Sequence, residues 1–280
     1  PPPATGYTAG RAGRGACRFL RPLKMEARNL KITGLTELSA GHYLVELENS
    51  FSTMPLPGQF VHIKVPPFFL RRPFSIAGGD AEKIRVLFRV AGEGTRALSC
   101  MEPGDELNVI GPLGTPFPVR EEWKKAFIVA GGTGAAPLLF LSSRLLSEGR
   151  EALFFYGARE AGHIMFRLLP PGVDFIFTTQ DGSYGEKGLV TGPFEKMLRD
   201  GLLPDVIYAG GPHGLLKNVA GLSASYRVPA FVTLENRMAC GTGLCYGCVT
   251  KIRSGDGWDY RRVCKDGPVF DAADIEWEES

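Results

Sequence analysis

Four of the six cysteines fall close together, as Cys240-x4-Cys245-x2-Cys248-x15-Cys264. The x4, x2 opening is the plant-type spacing of a two-iron, two-sulfur cluster, in which four thiolates converge on two irons. Such a cluster carries negative charge, so its loop must wrap tightly and aim backbone N–H groups at sulfur. The run ACGTGLCYGC suits that demand, because Gly241, Gly243 and Gly247 allow close approach and positive φ. A four-cysteine zinc site more often shows two CxxC knuckles, and here there is one. Two disulfides would need an oxidising compartment, and residues 1–24 lack the apolar stretch of a signal peptide. Cys240, Cys245, Cys248 and Cys264 are therefore the expected metal ligands. Cys17 and Cys100 stand apart, and Cys100 is expected to be a small buried hydrophobe.

A second group of residues suits phosphate and flat rings. Arg72-Pro73-Phe74-Ser75 follows a predicted strand in FLRRPFSIAG. A fixed guanidinium beside a hydroxyl suits a pyrophosphate, since it makes bidentate contacts, and Phe74 offers an apolar face. Read alone, these residues fit a strand end with a surface Arg equally well. Leu87-Phe88-Arg89-Val90 leads into Gly92-Glu93-Gly94-Thr95, a glycine turn opening a helix over TRALSCM. The Thr95 hydroxyl is expected to face a phosphate oxygen there, though an ordinary capped helix start fits as well.

Gly131-Gly132-Thr133-Gly134 lies in AGGTGAAP, after the strand AFIV and before a helix. Strand, glycine turn and helix in that order hold a dinucleotide pyrophosphate. Pro137 stands where G-x-G-x-x-G has its third glycine, so the generic fingerprint is not met. Gly210-Gly211-Pro212 after DVIYA is a second glycine turn at a strand's carboxyl end, where ligands dock on open α/β sheets. Arg159-Glu160 follows the second sheet strand, ALFFYGA, where Glu suits a ribose hydroxyl and Arg a 2′-phosphate, so NAD and NADP stay undecided. His42, His62, His163 and His213 pair with no plausible nucleophile. They are expected to be structural, and no catalytic side chain is expected.

The elements that must position these residues follow two grammars. Over 25–122, short alternating runs (ARNLKITGL, HYLVEL, QFVHIKV, IRVLFRV, DELNVIGPLG) are separated by turn residues, which predicts a small antiparallel β-barrel. Over 123–236, AFIVAG, ALFFYGA, DFIFTT, DVIYAGG and AFVTLE alternate with helical patterns at 135–146, 163–169, 189–199 and 213–226. That predicts an α/β, doubly wound, five-stranded parallel sheet with right-handed crossovers. Residues 237–280 hold the cysteines and no long apolar run, as expected of a small lobe built without a hydrophobic core. The whole is an α+β multidomain chain.

Its 280 residues allow two or three domains. No apolar run approaches the ~18 residues of a membrane-spanning helix. The formal charge is +2, too small for a dedicated nucleic-acid binder. Residues 1–24 supply five basic residues and no acid, leaving 27 basic and 30 acidic residues in 25–280. That first segment reads as a disordered tail or a non-native extension, with the functional protein expected to begin near Met25.

The order RPFS, GEGT, AGGTGAAP and AGGP resembles the ferredoxin–NADP reductase-like flavoprotein superfamily. Within it, LENRMACGTGLCYGC with a later VCKDGPVFDA is similar to the electron-transfer subunits of type B dihydroorotate dehydrogenase, over about residues 26–275. The resemblance implies FAD in the barrel, a [2Fe-2S] cluster on the four cysteines and NAD as a transient co-substrate. It also implies an FMN-containing catalytic partner that oxidises dihydroorotate in pyrimidine biosynthesis, in a heterotetramer of two plus two. Electrons would pass from that partner through the cluster and FAD to NAD⁺. Carried over residue by residue, the FAD contacts are Arg72, Pro73, Phe74, Ser75, Leu87, Phe88, Arg89, Gly94 and Thr95. The superfamily usually has Tyr where Phe74 stands, so a hydroxyl is missing while the ring can still stack. Flavin–cluster subunits of a ferredoxin:NADP oxidoreductase or a sulfide dehydrogenase share nearly every motif and are the alternative. A cytoplasmic location is expected, with no membrane or nucleic-acid partner. Leu244, Tyr246 and Met238 are expected either to face the partner or to cover the cluster.

Overall fold

The computed structural model describes residues 25–39, 41–255 and 257–277, so the expected tail at 1–24 lies outside them. Six strands come first: β1 (Glu26–Ser39), β2 (His42–Glu48), β3 (Phe60–Lys64), β4 (Arg72–Gly79), β5 (Lys83–Arg89) and β6 (Glu106–Leu113). They close into an antiparallel barrel in the order β1-β2-β5-β4-β3-β6. Alternation explains the closure. In β5, Ile84, Val86 and Phe88 point into a core shared with Leu30, Val45, Val61 and Ile76, while Arg89 faces out. Helix α1 (Glu93–Ser99) follows β5 and buries Leu98 in the same core. The RPFS run follows β3 across a loop that holds Pro66-Pro67, and it opens β4.

The second layer contains β7 (Lys125–Gly131), α2 (Ala135–Ser147), β8 (Glu151–Ala158), β9 (Asp174–Thr179), β10 (Glu186–Lys187), α3 (Thr191–Arg199), β11 (Val206–Gly210), α4 (His213–Tyr226) and β12 (Ala230–Thr233). The cysteine region adds β13 (Val249–Ser254), β14 (Gly257–Arg262) and β15 (Val269–Asp271). The five expected strands are the centre of a seven-stranded sheet, ordered β10-β9-β8-β7-β11-β12-β15. The two-residue β10 extends one edge in parallel, and β15 caps the other antiparallel to β12. The chain reverses direction of travel between β7 and β11, so their carboxyl ends form the switch point where such sheets bind ligands.

Two expectations need correction here. The pattern at 163–169 forms two single 3-10 turns, Ala161–His163 and Phe166–Leu168, not a helix. Seven residues closed off by Pro170-Pro171 are too few to offset helix nucleation, and Ile164 turns extended to bury its side chain. The cysteine region, in turn, does not lack a hydrophobic core. Cys248, Ile252, Val263, Cys264 and Ile275 are buried in one cluster with Phe127, Val129 and Ile207 of the sheet.

Tyr208 links the sheet to the segment leaving the barrel. Its ring is fully buried and meets Phe117 edge-on at 5.3 Å, and its hydroxyl donates to the Pro118 carbonyl at 2.7 Å. Tyr208→Phe keeps the ring but leaves that carbonyl without its donor, so stability should fall by about 1–2 kcal/mol. The check is a lower denaturant midpoint at unchanged slope.

Candidate functional site

The cysteine loop wraps as the sequence demands. Gly241 and Gly243 take φ of +67° and +87°, and Tyr246 takes +53°. A Cβ on Gly241 would sit 2.4 Å from Nδ1 of His62, so only glycine lets the loop lie on barrel strand β3. Gly247 has no positive φ and instead lies near the Cys245 sulfur. The Cys240 sulfur accepts the Thr242 N–H at 3.4 Å, and the Cys248 sulfur accepts the Cys264 N–H at 3.4 Å.

The thiols meet two by two. Cys240 adjoins Cys245, Cys264 adjoins Cys248, and Cys240 is within electrostatic reach of Cys264. Among the described residues, no group of three His, Cys, Asp or Glu side chains could hold a single metal ion. Two adjoining pairs suit a cluster of two irons with two thiolates each. Burial pushes the Cys240 thiol up, but the N–H groups of Thr242 and Cys245 and the Cys245 thiol outweigh it and bring it to about 5. Burial, with Cys248 beside it, pushes the Cys264 thiol up to about 12. Metal binding must displace that second proton, which ties metal uptake to pH. Cys100 is exposed, contrary to the expectation that it would be buried.

The phosphate-suited motifs of the barrel converge. Arg72, Pro73, Phe74 and Ser75 form a half-buried strip on β4. A Cβ on Gly94 would lie 2.0 Å from the Arg72 guanidinium carbon, so that guanidinium rests on the start of α1. Leu87 and Phe88 bury their side chains, Leu87 against Ala136 and Met165 and Phe88 in the barrel core. Only their backbone could meet a flavin. The Thr95 hydroxyl is engaged locally, accepting the Ala91 N–H at 2.9 Å and donating to the Gly92 carbonyl at 2.9 Å. Strand β3 lies between this strip and the cysteine loop. His62 is paired with Pro73 across the ladder and sits under Gly241. Its ring is fully buried, and backbone groups of Cys240 and Arg71 lie beside its nitrogens. Burial, and then Arg71, hold it below the usual histidine range and so neutral.

A cleft of about 640 Å³ runs between the barrel and the sheet. Gly131, Gly132, Thr133 and Gly134 line it with Gly211 and Pro212 at the switch point, and Arg89 and His42 reach in from the barrel. The two glycine turns touch: a Cβ on Gly134 would meet the Gly211 nitrogen at 2.5 Å. Arg159 and Gln180 line one end of the cleft while Glu160 turns to His163, Oε1 to Nδ1 3.7 Å. His42 and His163, expected to be structural, meet at 5.4 Å between ring centres and line the cleft. His213 lies against Trp277 with ring centres 5.3 Å apart and the planes tilted by 60°. Sequence reasoning missed Gln180, Asn218 and Glu235. Glu235 opens onto the cleft, and desolvation by the surrounding protein still raises its carboxyl above the usual range. Gln180 and Glu235 each follow a sheet strand at its carboxyl end, a signal that was available.

Residues 235–276 match the family model of the iron–sulfur cluster binding domain of dihydroorotate dehydrogenase B. The electron-transfer subunit of dihydroorotate dehydrogenase B (NAD⁺) from Caldanaerobacter subterraneus subsp. tengcongensis is 39% identical, covering 79% of this chain and 87% of that protein. The Enterococcus faecalis subunit of the same name is 37% identical over 88% of this chain and 97% of its own length. The chain belongs to the dihydroorotate dehydrogenase B electron-transfer subunit family. A chain from the structure of an NADH-dependent reduced ferredoxin–NADP oxidoreductase aligns with this family member at a TM-score of 0.79, with 29% identity over 89% of this chain and 90% of that one. Phthalate dioxygenase reductase shares the fold, with a TM-score of 0.60 and 18% identity over 82% of this chain and 88% of that one. Cys240, Cys245, Cys248 and Cys264 of this electron-transfer subunit all lie inside the segment matched by the cluster-domain model. Among its described residues, no helix is long and apolar enough to cross a membrane.

Proposed function

We propose that this chain carries electrons between an FMN-containing dihydroorotate dehydrogenase catalytic subunit and NAD⁺, in a cytoplasmic heterotetramer of two plus two. The observation that supports it most is the pairing of the four thiols beside β3, the strand that also borders the Arg72–Ser75 strip. Cys240, Cys245, Cys248 and Cys264 hold a [2Fe-2S] cluster. Arg72 grips the FAD pyrophosphate, Phe74 and Ser75 line the flavin, and Arg89 reaches the cleft from the barrel side. Gly131–Gly134, Gly211 and Pro212 let the nicotinamide nucleotide approach the backbone at the switch point. When bound, FAD exchanges hydride with nicotinamide and single electrons with the cluster, which joins two-electron to one-electron chemistry. The work divides into a barrel domain at 25–122, a nucleotide domain at 123–236 and a cluster lobe at 237–280. Leu244 and Tyr246 are 82% and 59% exposed beside Cys245. They suit a docking face for the catalytic partner, because the outward thiol pair lies there.

The test is reconstitution. Purified anaerobically, the chain should be yellow-brown, carry flavin and about two irons per protomer, and reduce dyes with NADH. Mixed with the catalytic subunit, it should couple dihydroorotate oxidation to NAD⁺ reduction. A colourless, zinc-loaded protein with no NADH–dye activity would overturn the reading.

A further inference from the structure

Arg262 binds the cysteine loop from outside. Its Nη1 donates to the Gly243 carbonyl at 2.9 Å, between Cys240 and Cys245. Its guanidinium carbon lies 4.8 Å from the centre of the Tyr246 ring, between Cys245 and Cys248. Its Nε and Nη2 donate to the two carboxylate oxygens of Asp266 at 3.1 and 3.4 Å, and its backbone N–H donates to Oδ2 at 2.8 Å. Cys264 is midway in sequence between the two charged residues and within electrostatic reach of Arg262. Both side chains are mostly covered, at 19% and 24% exposed.

We propose that this ion pair tunes the reduction potential of the [2Fe-2S] centre, with Arg262 raising it and Asp266 lowering it. The inference rests on the cluster reading above. Reduction adds one electron to the centre and breaks no ligand bond, so the reduced form carries one more negative charge. A fixed cation favours that form and a fixed anion opposes it, and partial burial limits screening by water. Arg262 also ties down the carbonyl of Gly243.

The two charges make opposite predictions, which separates tuning from mere support of the loop. Arg262→Gln leaves Asp266 unmatched. At a fixed potential it should lower the reduced-to-oxidised ratio about tenfold, a shift of about 59 mV for one electron. Asp266→Asn leaves Arg262 unmatched and should raise the ratio by a similar factor. Arg262→Lys keeps the charge but loses the fork, and should stay within about threefold of the parent. The measurement is an anaerobic dithionite titration of the full chain, followed by electron paramagnetic resonance, with iron counted per protomer. Dithionite supplies the electron. Opposite shifts at full iron support the proposal. Shifts of the same sign, or none, at full iron overturn it. Should Arg262→Gln shed iron, Asp266→Asn and Arg262→Lys carry the test, and a potential for Asp266→Asn at or below the parent's overturns it. An iron-free parent protein would instead refute the cluster reading itself.

Discussion

Cys245→Ser is expected to abolish the iron signal while leaving FAD-dependent NADH–dye reduction in place. Cys245 is exposed, unlike Cys248 and Cys264, so losing its thiol opens no cavity in the core. The loss falls on the outer pair, where Cys240 would lose its adjoining thiol. Serine offers a harder, more basic oxygen that does not replace a thiolate at a soft site. Iron should therefore drop from about two per protomer toward zero, with the characteristic resonance of the reduced cluster gone. The flavin strip is built from β4, β5 and α1, and the nucleotide cleft from the ends of β7 and β11, none of which contains a residue of the cysteine loop. Loss of FAD together with iron would defeat this separation of the sites. Cys248→Ser is a less selective probe, since it puts a hydroxyl into a cluster of buried apolar side chains.

The separation was largely legible in the residues, because both sites are made of short local motifs. Cysteine spacing is local, and so are a glycine turn after an apolar strand and an Arg beside a Ser. Five of the sheet strands announced themselves as apolar runs, since a strand covered on both faces has few polar positions. What stayed hidden was long-range or short. Glu186–Lys187 and Val269–Asp271 are too brief to carry a period, and they become strands only because a sheet edge is waiting for them. His62 read as an unremarkable barrel residue, and it matters because Gly241, far away in sequence, folds onto its ring. The same holds for Thr95. Its hydroxyl suits a phosphate by type, but the neighbouring Gly92 carbonyl is nearer and takes the proton. The meeting of Arg72 with Gly94 was also beyond motif reading, although both residues were singled out separately.

That meeting gives the mirror image of the cysteine variant. Gly94→Ala is expected to cost the protein its FAD while sparing its iron. An alanine Cβ would come within 2.0 Å of the Arg72 guanidinium carbon and 2.2 Å of Nη2. What it meets is the far end of a flexible side chain. Gly94 is not among the residues with positive φ, so the alanine backbone is unstrained and the fold survives. Arg72 must swing aside. Half-exposed and held otherwise by the Leu70 carbonyl at 3.0 Å and the Phe68 ring at 4.5 Å, it can move at little cost to stability. A guanidinium moved off a pyrophosphate gives up its charge-assisted hydrogen bonds, worth about 1.5–3 kcal/mol each. Even one such bond corresponds to roughly 10- to 150-fold in affinity, and a bidentate grip to more. Flavin should be lost on gel filtration, NADH–dye activity should return only with excess FAD, and iron should stay near the parent level. Arg72→Lys keeps the charge without the fork and should fall between the two. Full FAD retention in Gly94→Ala would mean that Arg72 does not hold the pyrophosphate, and the flavin strip would have to be redrawn.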